Sequence, residues 1–177
     1  MRLVLFSLVL VLVLLSAPDV LADKASGDGA ILVPVGTDWK LGYQVAQDGM
    51  ILREYVRIAS GETMENWTEL LSVTVNPGLQ KKTDAYSFAE GMLSLSKAKC
   101  ADGLTIARLE KQGREALSQW AIKGGLGFFP DQTTRLRTFV TRDALCSVQY
   151  AWKTPPRPEA VRKATELIQK VTIVEAP

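Results

Sequence analysis

The chain has 177 residues, 21 of them basic and 19 acidic, a net charge of +2 and no histidine. So even a charge balance gives no electrostatic case for nucleic acid, whose binding domains concentrate basic residues on one face. Without histidine, Ser-His-Asp and Cys-His catalysis, imidazole-ligated metal sites and imidazole pH switching are excluded, which leaves carboxylate, lysine or tyrosine chemistry, or none.

The chain opens on MRLVLFSLVLVLVLLSAPDVLA, with a basic start at Arg2, an apolar run from Leu3 to Leu15, and Val20-Leu21-Ala22 before Asp23. This is the pattern of a secretory signal peptide cleaved between Ala22 and Asp23. The apolar run is shorter than the roughly 18 residues that a membrane span needs. Export followed by cleavage, and no integral membrane anchor afterwards, is therefore the expectation. Removing 22 residues leaves 155, a length suited to one domain with its own core. Residues 23–38 read as a loose leader with a short first strand, and 39–177 as a single α+β domain.

Asp48-Gly49 separates Trp39–Gln47 from Met50–Ala59 and predicts a tight hairpin, with a bulge in its second arm. From Trp67 to Val75 the residues Trp67, Leu71, Val73 and Val75 share one parity, which predicts a strand with one face in the core, stopped by Asn76-Pro77-Gly78. The period then changes. Ala85, Phe88, Ala89, Met92, Leu95 and Ala98 recur at helical spacing, with Thr83 or Asp84 as the cap and Cys100 at the C-terminal end. Strands follow over 104–110, 116–123, 133–141 and 145–152, of which 116–122 also reads as a short helix. Pro155-Pro156-Arg157-Pro158 opens a second helix, with Val161, Ala164, Ile168 and Val171 along one side.

Cys100 and Cys146 in an exported chain predict a disulfide, with two reduced structural thiols as the alternative. Closing a loop of about 47 residues would contribute roughly 4 kcal/mol on the chain-entropy model. Ser94-Leu95-Ser96-Lys97 matches the S-x-x-K of penicillin-binding proteins and β-lactamases, and Lys123-Gly124-Gly125 loosely echoes their K-T-G. Ser94 falls late in its helix, however, and no S-D-N occurs between the two, so solvent-facing helix residues are the better reading. Glu54, Glu62, Glu65 and Glu69 gather around the second and third strands, and paired carboxylates are what glycoside hydrolysis uses. Gly124 to Phe129 fits neither the dinucleotide fingerprint nor the P-loop; packing of Phe128 and Phe129 against the sheet end is the better reading, and a hairpin tip that meets a partner is the alternative. Arg135 and Arg137 share a parity with Phe139 and could take an anionic ligand, with Arg142 nearby. Asn66-Trp67-Thr68 fits the N-glycosylation pattern, although Trp67 reads more naturally as a core anchor.

The run Glu65-Asn66-Trp67-Thr68-Glu69-Leu70-Leu71-Ser72-Val73-Thr74-Val75 resembles the W-T-E-x-[LI]-[ST]-V strand of small exported proteobacterial proteins of uncharacterised function. The order of helix, cysteine, strands, second cysteine and terminal helix is similar as well, and resembles the PsbP-like α/β/α sandwich. The resemblance implies an accessory or binding role, and no catalytic residue transfers with it.

These readings combine into an α+β protein: a mainly antiparallel twisted sheet of about six or seven strands with two helices packed on it. The expected function is that of an exported, periplasmic or secreted, non-catalytic binding or accessory protein of the cell envelope. Its partner would be an envelope protein or component, with no cofactor, no metal and no nucleic acid. A small carboxylate-based envelope hydrolase is the alternative. The candidate partner-binding residues are Glu62, Glu65, Glu69, Phe128, Phe129, Arg135 and Arg137.

Overall fold

The structure is a computed structural model and describes residues 29–32, 38–100, 103–123 and 131–175. The elements in chain order are β1 (Gly29–Leu32), β2 (Trp39–Gln47), β3 (Met50–Arg57), β4 (Glu69–Pro77), a single 3-10 turn (Leu79–Lys81), α1 (Ala85–Cys100), β5 (Leu104–Gln112), β6 (Glu115–Ile122), β7 (Gln132–Val140), β8 (Ala144–Trp152), α2 (Pro158–Lys170) and β9 (Thr172–Glu175). Seven strands form one antiparallel sheet in the order β2-β3-β4-β8-β7-β6-β5, and β1 pairs with β9 as a separate two-stranded sheet. No helix among the described residues is long and apolar enough to cross a membrane. The predicted signal peptide lies outside the described residues.

Short connections make most of this sheet. Asp48 and Gly49 both take positive φ, 51° and 81°, the geometry that a two-residue hairpin between right-twisted strands requires, and they join β2 to β3. The bulge falls in the first arm, at Gly42, and not in the second as the uneven alternation of Met50–Ala59 predicts. The register passes from Leu41 to Tyr43 there, so one residue of β2 has no opposite number. The 116–122 segment is a strand. Its residues are buried on both faces of the sheet, which removes the alternation that separates strand from helix.

Each helix covers its own face of the sheet. Ala164, Ile168 and Val171 of α2 and its exit pack with Val73, Val75, Leu117, Phe139, Cys146, Val148, Tyr150 and Trp152. Ala89, Met92, Leu93 and Cys100 of α1 pack with Ala116, Trp120, Ile122 and Leu136. Leu117 and Trp120, or Leu136 and Phe139, have opposite parity on their strands, so the two clusters lie on opposite sides. Asp84 caps α1, accepting from the backbone N–H groups of Tyr86 (2.9 Å) and Ser87 (3.1 Å).

This arrangement corrects the disulfide expectation. Cys100 ends a helix on one face, whereas the alternation of β8 turns Cys146 toward the other face, so no bond joins the two sulfurs and both are buried in separate clusters. The core stripe of α1 is also rotated from the predicted one. Ala85, Ala89, Met92, Leu93, Ser96 and Cys100 are buried and Ala98 is exposed, and the buried Ser96 hydroxyl is satisfied inside its own helix by the Met92 carbonyl (2.9 Å).

Two glycines give a paired test of this packing. A methyl group at Gly91 in α1 would meet nothing within 4 Å, so Gly91→Ala should raise stability by about 0.5–1 kcal/mol. At Gly103 the same methyl would run into the backbone carbonyl of Lys123, which is held close by a 2.8 Å hydrogen bond from the Lys123 N–H to the Gly103 oxygen. Gly103→Ala should therefore cost about 1–3 kcal/mol. Urea unfolding of the two variants beside the parent reads the opposite signs directly.

Candidate functional site

The end of β3, the start of β4 and the loop between them enclose an open hollow of about 500 Å³, lined by Asp38, Arg57, Ala59, Ser60, Glu62, Thr68 and Glu69. Arg57 organises it. Its Nε donates to Glu69 Oε2 at 2.7 Å and its other nitrogens reach the Tyr150 hydroxyl (3.2 Å) and Asp38 (3.9 Å). Tyr150 in turn donates to the same Glu69 oxygen at 2.9 Å. The guanidinium lies 4.4 Å from the centre of the Trp39 ring, which meets Tyr150 edge-on at 5.5 Å, and Tyr150 stacks on toward Trp152 at 4.6 Å. An aromatic floor thus supports a charged network at one end of the α2 face. Burial, reinforced by the Glu69 charge, pushes the Tyr150 phenol well above its ordinary value, so it remains a proton donor.

Glu62 forms the opposite wall. The residue is 3% exposed, one carboxylate oxygen accepts from the Thr68 hydroxyl, and the Ser60 side chain and the Thr68 and Arg57 backbone also donate to the carboxylate. Burial alone would raise its pKa, but hydrogen bonds led by that of Thr68 outweigh it and hold the group below the usual carboxylate range. The loop is held in shape by Asn66, whose side-chain oxygen accepts from the Thr63 backbone (2.6 Å) and hydroxyl (3.1 Å).

Of the sequence-derived candidates, Glu62 and Glu69 face this hollow together, while Glu65 is exposed on the loop and does not line it. Glu54 points to the other side of the sheet, where it is buried and accepts from Ser72 at 3.0 Å. Arg135 is buried beside Gln119, 3.4 Å away, with its Nε unpartnered. Arg137 is spent on internal contacts with Glu115 and the end of α2. Ser94 and Lys97 are exposed on α1. Phe128 and Phe129 lie outside the described residues. Asp38, Arg57 and Tyr150 were not legible as site residues. The Arg57–Glu69 pair could have been found from the parity of neighbouring strands, but Tyr150 reaches it only through the pairing of β4 with β8.

Glu54 supplies a test that its neighbours do not obscure. Burial raises its folded pKa above the ordinary 4.5, with the Ser72 bond opposing. The stability it contributes is therefore complete below about pH 4.5 and is lost as pH rises through the folded value. Glu62, shifted the other way, contributes stability that is lost as pH falls. Glu54→Gln should remove only the first trend, so the variant gains on the parent from pH 5 upward in urea midpoints taken across roughly pH 4 to 8. Parallel curves for the two proteins would show that the carboxyl is not desolvated.

Fold and site together define an α+β protein with a helix on each face of one antiparallel sheet and an acidic hollow at the sheet's end. No family model and no curated protein matches the chain. Among solved structures it is similar to LpqN of Mycobacterium tuberculosis, a protein involved in cell envelope biogenesis, at 17% identity over 86% of each chain, with a TM-score of 0.41. It is also similar to the cyanobacterial PsbP of Synechocystis, at 7% identity over 87% of this chain and 97% of that one, TM-score 0.46. The Ran-binding protein Mog1p of Saccharomyces cerevisiae follows at 12% identity over 86% of each, TM-score 0.40. At these identities no residue role passes from any of them to this chain.

Proposed function

We propose that this chain is an exported accessory protein of the cell envelope, periplasmic or secreted, that acts by binding, and that the hollow beside Glu62 and Glu69 receives its partner. One observation carries the reading. Two carboxylates do face one cleft, as a hydrolase would need, but both are already engaged by the protein. Carboxylate hydrolysis requires a group free to donate a proton to the leaving oxygen. Glu62 accepts from Thr68 and is held below the usual carboxylate range, and Glu69 accepts from Arg57 at 2.7 Å and from Tyr150 at 2.9 Å. The basic, apolar and small-residue pattern of residues 1–22 supports export.

Fractionation of the host, with sequencing of the mature N-terminus, tests the location: a chain beginning at Asp23 in the exported fraction is the expected result, and an uncleaved cytoplasmic chain overturns it. For the binding role, purified protein is incubated with envelope glycan and ester substrates. No turnover is expected. Turnover that disappears in Glu69→Gln would replace this reading with the hydrolase.

A further inference from the structure

The loop between β3 and β4 sets the shape of the hollow, because it supplies Ala59, Ser60, Glu62 and Thr68 to the wall. Hydrogen bonds fasten its two ends. The Ile58 N–H donates to the Asp38 carbonyl at 2.8 Å, and the Lys153 N–H donates to the Thr68 carbonyl at 3.1 Å. Further in, the bonds of Asn66 to Thr63 stay inside the loop. Its middle is held to the sheet by apolar packing, through Met64 and Trp67 against Val56, Leu70 and Ala151. Burial and dispersion make such a contact, so a polar change in one of its side chains weakens it.

Met64 is seated in a notch that a glycine leaves open. β2 bulges at Gly42, and a methyl group added there would lie 2.8 Å from Met64 Sδ and 3.2 Å from its Cγ, with Val56 Cγ2 at 3.5 Å. The thioether fills the space that a side chain at the bulge would take. Met64 is nevertheless only half-buried, so small solutes in the solvent reach it. Met92 differs, being 9% exposed inside the α1 cluster. Met50 is half-buried as well, but it starts β3, at the opposite end of that strand from the loop. Of these three methionines, Met64 alone combines accessibility with a place behind a wall of the hollow. Oxidation to the sulfoxide adds an oxygen to the sulfur and turns a flexible apolar side chain into a polar one. At Met64 the notch between Gly42 and Val56 has no room for that oxygen.

We propose that Met64 is an oxidation-sensitive latch: as the thioether it clamps the loop onto the Gly42 bulge, and as the sulfoxide it leaves the notch and loosens the wall formed by Ser60, Glu62 and Thr68. The oxidant is a peroxide. The sulfur attacks one peroxide oxygen and the O–O bond breaks; sulfur gives up two electrons and keeps that oxygen, and hydrogen peroxide's other oxygen leaves as water. A sulfoxide reductase reverses the step with a dithiol, which becomes a disulfide while the oxygen departs as water. The purpose of the latch rests on the binding reading of the hollow, but the measurements that test it read the loop itself.

The protein is treated with hydrogen peroxide and followed by peptide mass mapping, NMR and thermal unfolding. Met64 should gain its oxygen severalfold faster than Met92. As it does, the amides of residues 60–68 should shift while those of α1 and α2 hold their places, and the melting temperature should fall by several degrees. A sulfoxide reductase should restore both. Met64→Leu has no sulfur to oxidise and should show no loop response to peroxide, whereas Met64→Gln, polar and of similar length, should show the loosened loop without it. Gly42→Ala should push the sulfur out of its notch and raise the Met64 oxidation rate severalfold. Oxidation of Met64 no faster than that of Met92, a Met64 sulfoxide that leaves the loop amides in place, or an equal response in Met64→Leu would overturn the inference. If Met64→Leu does not fold, the parent before and after peroxide decides together with Met64→Gln. No partner enters these readouts, so failure of the latch leaves the binding reading standing, and turnover of an envelope substrate, which ends the binding reading, leaves the latch intact.

Discussion

Arg137→Met is expected to lower stability by about 2–4 kcal/mol in urea unfolding, with little change in the denaturant slope. The guanidinium serves two structures at once. Its Nε and one terminal nitrogen donate to the two oxygens of Glu115 at 2.9 and 2.7 Å. Its other terminal nitrogen lies 3.1 Å from each of the carbonyl oxygens of Ile168, Gln169 and Val171. Those carbonyls close the last turn of α2, where helices leave acceptors without internal partners and carry the negative end of the dipole. The guanidinium also lies 4.2 Å from the Phe139 ring centre. Methionine preserves most of the volume, so the loss reports charge and hydrogen bonds and not a cavity. Glu115 is 37% exposed and can recover water, which is why the expected cost stays short of that of a fully buried broken pair. Arg137→Lys keeps the charge but cannot serve both groups with one ammonium, and should fall between parent and Met variant. If Arg137 instead served a partner, the Met variant would be as stable as the parent and defective only in binding.

That outcome bears on how far the sequence could be read. Parity placed Arg135, Arg137 and Phe139 on one face of β7, where they are found. It could not say that the face would be roofed by the end of α2, because that depends on which side of the sheet each helix takes. The same missing information produced the disulfide expectation: Cys100 and Cys146 have suitable elements and a suitable spacing, but opposite faces. The Asp48-Gly49 hairpin, the Asp84 cap and α2 were legible because each is set by residues within a few positions of one another. β9 was not, since four residues after a helix show no period and its pairing with β1 joins opposite ends of the chain. The hollow lies between these cases. Its acidic wall could be read from the loop, and its cation and aromatic floor come from strands β2, β3 and β8, whose order only the sheet reveals.

Trp67→Ala is expected to cost about 3–5 kcal/mol and to disable the hollow as well. Alternation from Val75 backward puts Trp67 on the side of Leu71 and Val73, yet β4 begins only at Glu69, and the turn ahead of it frees Trp67 from the strand's parity. The ring packs with Val56, Leu70, Ala151 and Met64, on the face opposite Glu69, and Lys153 sits 4.7 Å from its centre. The loop from 58 to 68 is thereby pinned around the end of the sheet: Met64 and Trp67 hold one side while Ser60, Glu62 and Thr68 line the hollow on the other. Removing the indole leaves a void beneath the loop and releases the residues that orient Glu62. Trp67→Phe should recover over half of the stability, since it refills most of the void, and should restore the hollow with it. Thermal unfolding of the same two variants checks the stability, and the NMR shifts of Glu62 and Thr68 check the hollow. Stability lost without any change in those shifts would show that Glu62 is held by its own loop and not by the tryptophan behind it.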